Sequence, residues 1–358
     1  MEIKVVDKKM IGQYLNLYKE VYKDNSYYRD NTSSVLKGIL SGAATICKSS
    51  RITPIVIVDS GKVVAACTFA VVDRMADTLQ LTFFEALPNH QVAIDKMIDY
   101  GRKLAQEYGI SKILVGLDFH VNYGLGLLAN CYDKLQSFGS SYNPPYYIEY
   151  FQKHANEETR LVNYIGKMDV FDSDKNVKLR ERIHNLYKVR KADFKNLKKD
   201  VAIYTSLNNQ AFRNHKFYYE RRLEEDLELF KDFKWLLKEE NLLILEHQGI
   251  PIGFMLWYPD FNELINPGES VGVKTVLKNI LFSETIQKFK LVEIGVLPAY
   301  QKKGAVLALF DECRKLVGNR FRLCESGWVL EENIDSRGFG FRWGDQEYKQ
   351  FKVFTINV

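Results

Sequence analysis

The chain has 358 residues, which at roughly 150 residues per domain is enough for two hydrophobic cores. A hydrophobic share of 46% and a charged share of 27% exclude a fibrous or disordered design. The net charge of +5 is too small to demand a nucleic-acid partner, and no apolar run approaches the ~20 residues of a membrane span.

In chain order, Glu2 to Val6 reads as a short strand, followed by helical stretches to about Lys23 and from Val35 to Cys47. Pro54 to Val58 and Val63 to Val72 are β-branched runs joined by a short polar turn through Asp59, Ser60 and Gly61, which predicts a hairpin. Leu79 to Leu87 is a further strand stopped by Pro88. Ile94, Met97, Ile98, Leu104, Ala105 and Tyr108 then recur at helical spacing, and Lys112 to Gly116 returns to strand.

The second half repeats this order. A strand near Leu186 to Ala192 precedes helical stretches at Leu197 to Asn214 and Glu220 to Lys238. A hairpin follows, Leu242 to Glu246 and Ile252 to Trp257, turning at Gln248 and Gly249. Lys290 to Leu297 is a strand stopped by Pro298, and Val306, Leu309, Phe310, Cys313, Leu316 and Val317 form the apolar face of the next helix. Phe321 to Glu325 and Lys349 to Ile356 are strands again. A repeat of about 180 residues means two copies of one α/β (α+β) domain, since a solenoid repeats every ~20 to 50. The polar stretch Phe171 to Asn176 sets the expected division, 1–170 and 171–358.

Five scattered cysteines without a CxxC pair fit reduced thiols in the cytoplasm, and six histidines without HExxH spacing predict no metal site. The N-terminus presents no apolar h-region, so a soluble protein without a targeting signal or membrane partner is expected.

The segment Leu291 to Phe310 carries the chemistry. A strand ends at a proline, a polar loop holds Lys302, Lys303 and Gly304, and a helix starts at once. The first N–H groups of a helix lack intrahelical partners and the dipole adds positive charge, so the junction suits an anion such as a diphosphate. The same pattern also describes an ordinary strand-turn-helix junction with a solvated basic loop.

These residues resemble motif A of the GNAT superfamily of acyl-CoA-dependent N-acyltransferases: Gln301, Lys302, Lys303, Gly304 and Ala305 follow Val296, Leu297 and Pro298 in the family's order, with Val306 where the family prefers Gly or Ala. Cys324 to Asn333 is similar to motif B, and Ile250 to Asn262 to the hairpin strand ahead of motif A. Over nearly the whole chain the sequence is similar to bacterial proteins with two GNAT-like domains. The resemblance implies two tandem GNAT-like domains with mixed, mostly antiparallel sheets flanked by helices. It also implies acetyl-CoA or a longer acyl-CoA as co-substrate, and acyl transfer to an amine on a small molecule or peptide. The CoA contacts it implies are the backbone of Gly295, Val296 and Leu297, the loop Gln301 to Val306, and Asn333. In the first half, Pro88 and Gln91 match Pro298 and Gln301, but Val92, Ala93, Ile94 and Asp95 follow where a glycine is needed. That half is expected to be a degenerate copy without CoA.

Such chemistry needs a base for the amine and a proton for the thiolate. Glu293, a charge within an apolar strand, is the base candidate, against a reading as an edge glutamate paired with a lysine. The position seven after Asn333, where many members carry a tyrosine, is Gly340; Tyr348 is the nearest tyrosine and equally reads as a strand aromatic. Asp260 and Asn262 are candidates to meet a cationic acceptor, or turn residues. Residues 178 to 200 hold nine basic groups against three acids, which leaves open a tRNA contact beside a solvated face. An aminoacyl-tRNA-dependent transferase and a non-catalytic binding module on the same scaffold therefore stand as alternatives, and the sequence does not fix the oligomeric state.

Overall fold

The computed structural model describes residues 1–168, 177–344 and 346–358; the expected division at Phe171 to Asn176 lies outside the described residues. The strands are β1 Glu2–Val5, β2 Ser50–Asp59, β3 Lys62–Val72, β4 Leu79–Ala86, β5 Lys112–Val115, β6 Leu127–Leu128, β7 Glu157–Lys167, β8 Lys188–Lys191, β9 Leu242–His247, β10 Ile250–Pro259, β11 Lys288–Val296, β12 Leu323–Ser326, β13 Val329–Leu330 and β14 Gln346–Asn357. The helices are α1 Ile11–Tyr22, α2 Ser33–Leu40, α3 Gln91–Glu107, α4 Tyr146–Gln152, α5 Val177–Leu186, α6 Leu197–Ala211, α7 Leu223–Phe233, α8 Val273–Phe282, α9 Ala305–Val317 and α10 Ile334–Trp343.

Two compact units result, one of residues 1–162, 265–272 and 349–358, the other of 163–264 and 273–348. Their sheets have the same plan. In the first, β1, β2, β3 and β4 are successively antiparallel, β5 is parallel to β4, and Phe354 to Asn357 of β14 run antiparallel to β5. In the second, β8, β9, β10 and β11 are antiparallel, β12 is parallel to β11, and Ile165 to Lys167 of β7 run antiparallel to β12. The closing strand Lys349 to Ile356, which follows the second repeat in sequence, lies in the first unit, and the strand after the first repeat's α4 closes the second.

Local chemistry explains the repetition. Both hairpins turn on two residues in the left-handed region, Ser60 and Gly61 (φ 49° and 80°) and Gln248 and Gly249 (φ 53° and 76°). That is the backbone twist a two-residue antiparallel turn requires. In both units the strand before the proline is shifted in register against its neighbour, between Ala66 and Thr68 of β3 in one and Leu256 and Trp257 of β10 in the other. A bulge of this kind bends the strand and re-aims its side chains. The first core gathers Ile55, Phe69, Leu81, Ile94, Met97, Ile113 and Phe354; in the second, Val201, Tyr204, Leu207, Phe230, Leu242 and Phe254 cluster. All five cysteines are free, and burial holds the Cys324 thiol well above its ordinary range, which leaves it protonated and unreactive. Among the described residues no helix is long and apolar enough to cross a membrane.

Candidate functional site

After β11, Pro298–Tyr300 make a single 3-10 turn, Gln301 is extended, Lys302 takes φ 58°, and Gly304 at φ 83° is the N-cap of α9 with no side-chain bond to the helix. The first N–H groups of α9 therefore have no side-chain cap and present the positive end of the helix. Gly304 is needed twice over. Its φ suits glycine, and a Cβ there would lie 3.0 Å from Ile183 Cδ1 of α5. The Gln301 amide donates to the Val296 carbonyl at 3.1 Å and folds the loop back on its own strand.

The strand itself supplies the second feature. Pairing of β11 with β12 stops at Leu291 and Ser326, while β11 runs on to Val296. The Gly327 N–H donates to the Leu291 carbonyl, and a Cβ on Gly327 would lie 2.4 Å from the Val292 carbonyl, so only glycine lets the chain leave the sheet there. On the other edge the Leu297 N–H donates to the Ile252 carbonyl at 2.9 Å. Antiparallel main-chain groups alternate between the two edges. Glu293, Gly295 and Leu297 therefore direct theirs toward β10, and Ile294 and Val296 direct theirs to the open edge. Of Gly295, Val296 and Leu297, Val296 alone directs its main-chain groups to the open edge, and Ile294, which the sequence did not single out, does the same.

Glu293 points toward α6. Tyr204 donates to its Oε2 at 2.6 Å and the Asn208 amide to the same oxygen at 2.9 Å. The Arg221 guanidinium stands 3.6 Å from that oxygen, 3.5 Å from Asp226 Oδ1 and 4.8 Å over the Tyr204 ring. Oε1 accepts no bond among the described residues. Burial alone depresses Arg221, but Tyr204, Asp226 and Glu293 outweigh it and hold its pKa above the ordinary range; burial likewise pushes the Tyr204 hydroxyl well up. Glu293 thus has one oxygen locked and one free. Its partners are Tyr204, Asn208 and Arg221, none of them the lysine of the alternative reading.

The first unit has the same strand end with the opposite accounting. The Leu87 N–H donates to Val64 as Leu297 does to Ile252. Ala86, the counterpart of Val296, is fully engaged: its N–H donates to the Tyr147 hydroxyl at 2.7 Å and its carbonyl accepts from Tyr146 at 2.9 Å. Tyr150 donates to the Leu87 carbonyl at 2.8 Å and accepts from the His90 N–H at 3.0 Å. Helix α3 begins at Gln91, so the basic loop of the second unit has no equivalent.

No protein-family model matches the chain, and no curated protein sequence matches it. Solved structures do. A tandem GNAT protein from the clavulanic acid biosynthesis pathway aligns over 99% of this chain and 98% of its own, with a TM-score of 0.58 at 12% identity. The glucosamine N-acetyltransferase region of a fungal multi-domain β-N-acetylglucosaminidase aligns over 99% of this chain and 38% of its own (TM-score 0.58, 13% identity). A GCN5-related N-acetyltransferase from Sphaerobacter thermophilus aligns over 99% and 95% (TM-score 0.52, 10% identity). The chain has a tandem GNAT fold.

On this GNAT scaffold the remaining candidates take structural places. Asp260 and Asn262 are fully buried, a correction to their expected role at a cationic acceptor. Asp260 is 3.1 Å from the Lys288 ammonium, which also bonds Glu325, and Asn163 donates to Glu325 at 2.7 Å. The Asp260 charge is thus already met. Tyr348 lies with its ring 6.0 Å from the same ammonium. Asn333 caps α10, its side chain accepting from the Ser336 N–H at 3.0 Å. At Gly340 a Cβ would lie 2.4 Å from the Tyr164 ring, so no tyrosine fits. In the basic stretch, Arg180 pairs with Asp311, Arg190 with Asp200 and Glu246, and Lys191 with Glu240. Three of the nine basic groups are thus paired within the fold.

Sequence reasoning missed Tyr204, Asn208 and Arg221, which sit far from Glu293 along the chain. For Tyr204 and Asn208 the available signal was their place on the buried face of α6; Arg221 lies outside that helix, ahead of α7.

Proposed function

We propose that the second unit binds acetyl-CoA or another acyl-CoA and transfers the acyl group directly to an amine. One observation carries this reading: the strand end and helix start that face the open edge of β11 keep main-chain donors available, and Glu293 Oε1 is free on the neighbouring strand position. The CoA diphosphate lies at the first turn of α9 beside Lys302 and Lys303, with Gln301, Gly304, Ala305 and Val306 around it. The pantetheine arm extends along β11, and the N–H groups of Ile294 and Val296 bond its amide and the thioester carbonyl. The amine attacks that carbonyl carbon; Glu293 Oε1 takes the amine proton, directly or through one water. The tetrahedral intermediate collapses with cleavage of the C–S bond, the acyl group stays on nitrogen, and water protonates the leaving thiolate. Tyr348, placed against Lys288, is not needed for that step.

Calorimetry with acetyl-CoA tests the reading. The variant to pair with the wild type is Val306→Glu, because position 306 is half-buried and a carboxylate in the first turn is compatible with the helix dipole. It places negative charge where the diphosphate is to sit. Gly304→Glu is less suited, since it also strains φ and collides with Ile183. The expected result is one site per chain, with affinity falling at least tenfold in Val306→Glu. Absence of binding to acetyl-CoA and to longer acyl-CoA thioesters overturns the proposal.

A further inference from the structure

Two further charges lie behind Glu293 in the second unit. The side chains of Arg221 and Asp226 are each 2% exposed, against 18% for Glu293, so of the three only Glu293 can meet an acceptor. Arg221 stands 3.5 Å from Asp226 Oδ1 and 3.6 Å from Glu293 Oε2, beyond ordinary hydrogen-bond length, and so acts on both acids chiefly by charge. Thr205 donates to the second Asp226 oxygen at 2.6 Å, while Tyr204 and Asn208 hold Glu293 Oε2. The hydroxyls within the field of Glu293, those of Tyr204 on α6, Tyr218 before α7 and Tyr258 on β10, are pushed up by burial and stay neutral. Glu225, a further acid acting on Asp226, accepts from the Arg222 N–H at 3.1 Å. One guanidinium thus serves two carboxylates, and burial pushes Asp226 up against its pull.

We propose that Arg221 and Asp226 are positioning residues for Glu293: Arg221 fixes the locked oxygen and supplies the counter-charge, and Asp226 shares that counter-charge so that Oε1 stays available. This rests on the reading of Glu293 as the base of acyl transfer. When the proton passes from the amine nitrogen to Glu293 Oε1, Arg221 keeps a partner in Asp226, and a cluster with one excess negative charge becomes neutral. An excess charge of that sign favours proton uptake. A guanidinium left to Glu293 alone would bind the carboxylate by itself and oppose the same step.

A double-variant cycle on the full chain tests this, with acetyl-CoA turnover read as thiol release over a panel of primary amines, and acetyl-CoA affinity read by calorimetry. Arg221→Gln leaves two carboxylates facing each other without a counter-charge, which cannot both stay charged, and should lower kcat about tenfold or more with acetyl-CoA affinity unchanged. Asp226→Asn gives Arg221 wholly to Glu293 and should lower kcat a few-fold. The double variant keeps Glu293 as the single acid of the cluster and should recover most of the loss in Arg221→Gln. A merely structural role predicts the reverse, because the double variant removes more native contacts, and losses that add in it overturn the proposal. Should Arg221→Gln melt early, Asp226→Asn decides, and a kcat equal to the wild type overturns the proposal. Turnover abolished by Glu293→Gln but untouched by Arg221→Gln overturns this proposal alone. A wild type that binds acetyl-CoA and acetylates no amine overturns acyl transfer, and this proposal with it.

Discussion

Ala86 and Val296 occupy the same place in two sheets of the same plan, and they differ in what their main chains bond. In the first unit the tyrosines of α4 take both groups of Ala86, and Tyr147 continues to the Glu85 carboxyl at 2.6 Å. Burial holds that carboxyl well above the ordinary range, against the hydrogen bonds from Tyr147 and Tyr22. In the second unit only the Val296 carbonyl is taken, by Gln301, and no side chain among the described residues bonds its N–H. Buried backbone groups must be paired. A splayed strand end can therefore either be sealed by the fold or be left for a ligand. Sealing gives a rigid copy, and leaving it open gives a candidate site.

The largest effect that would sharpen this contrast is at Glu293. Glu293→Gln keeps the bonds from Tyr204 and Asn208 but removes the proton acceptor, and should lower kcat by about 10² to 10⁴ with little change in acyl-CoA affinity. Steady-state kinetics with a responsive amine, beside calorimetry, reads both. An equal loss of binding would place the residue in the arm site instead.

The seal itself can be broken at Tyr147. Tyr147→Phe strands the Ala86 N–H and one oxygen of Glu85, and should cost the first unit about 1 to 3 kcal/mol in a denaturant titration. The stoichiometry for acyl-CoA should stay at one, because α3 starts at Gln91, too early to leave a loop for the diphosphate. A second site appearing in Tyr147→Phe would show that the tyrosines alone separate the two units.

A smaller effect follows from Asp118, whose carboxyl accepts from the Phe83 N–H at 2.8 Å in the first unit; burial raises it to about 7. An unfolded aspartate titrates near ~3.9, so between roughly pH 4 and 7 the native state holds a proton that the unfolded state has released. Stability of the first unit therefore falls as pH rises through that window. Thermal melts across it should show Asp118→Asn with a flatter slope than the wild type, while the second unit contributes no such term from this residue.

Much of this plan was legible in the sequence because it rests on local signals. The two-residue turns at Ser60-Gly61 and Gln248-Gly249, the strand-proline-glycine-helix order at 291–310, and the missing glycine after Gln91 all act within a few residues. The parts that escaped are long-range. The apolar alternation of Lys349 to Ile356 marks a strand but not that β5 is its partner, and β7, with polar residues along one face, was not recognised as a strand. Asp260 looked like a solvent-facing turn residue because Lys288, whose ammonium it shares with Glu325, lies distant in sequence. Helix α8, polar within and apolar outside, obeys the helical period while inverting its usual meaning.

The smallest effect concerns the two lysines of the loop ahead of α9, a loop that the first unit lacks because α3 starts at Gln91. Lys302 already shares its ammonium with Asp335 at 3.1 Å, and both groups are largely exposed, so the pair contributes little to folding. Lys303 is exposed and carries no such pairing among the described residues. Removing either charge should leave the melting temperature unchanged. Lys303→Ala should weaken acyl-CoA binding a few-fold at low salt, and Lys302→Ala should do so less, because the carboxylate of Asp335 already offsets its field. Both differences should vanish toward ~1 M salt, where the screening length shrinks to about 3 Å. Equal losses in the two variants would mean that Asp335 swings away when the ligand binds; a loss that persists at high salt would mean that the lysine makes a direct, desolvated contact to the phosphate and not a field at the rim.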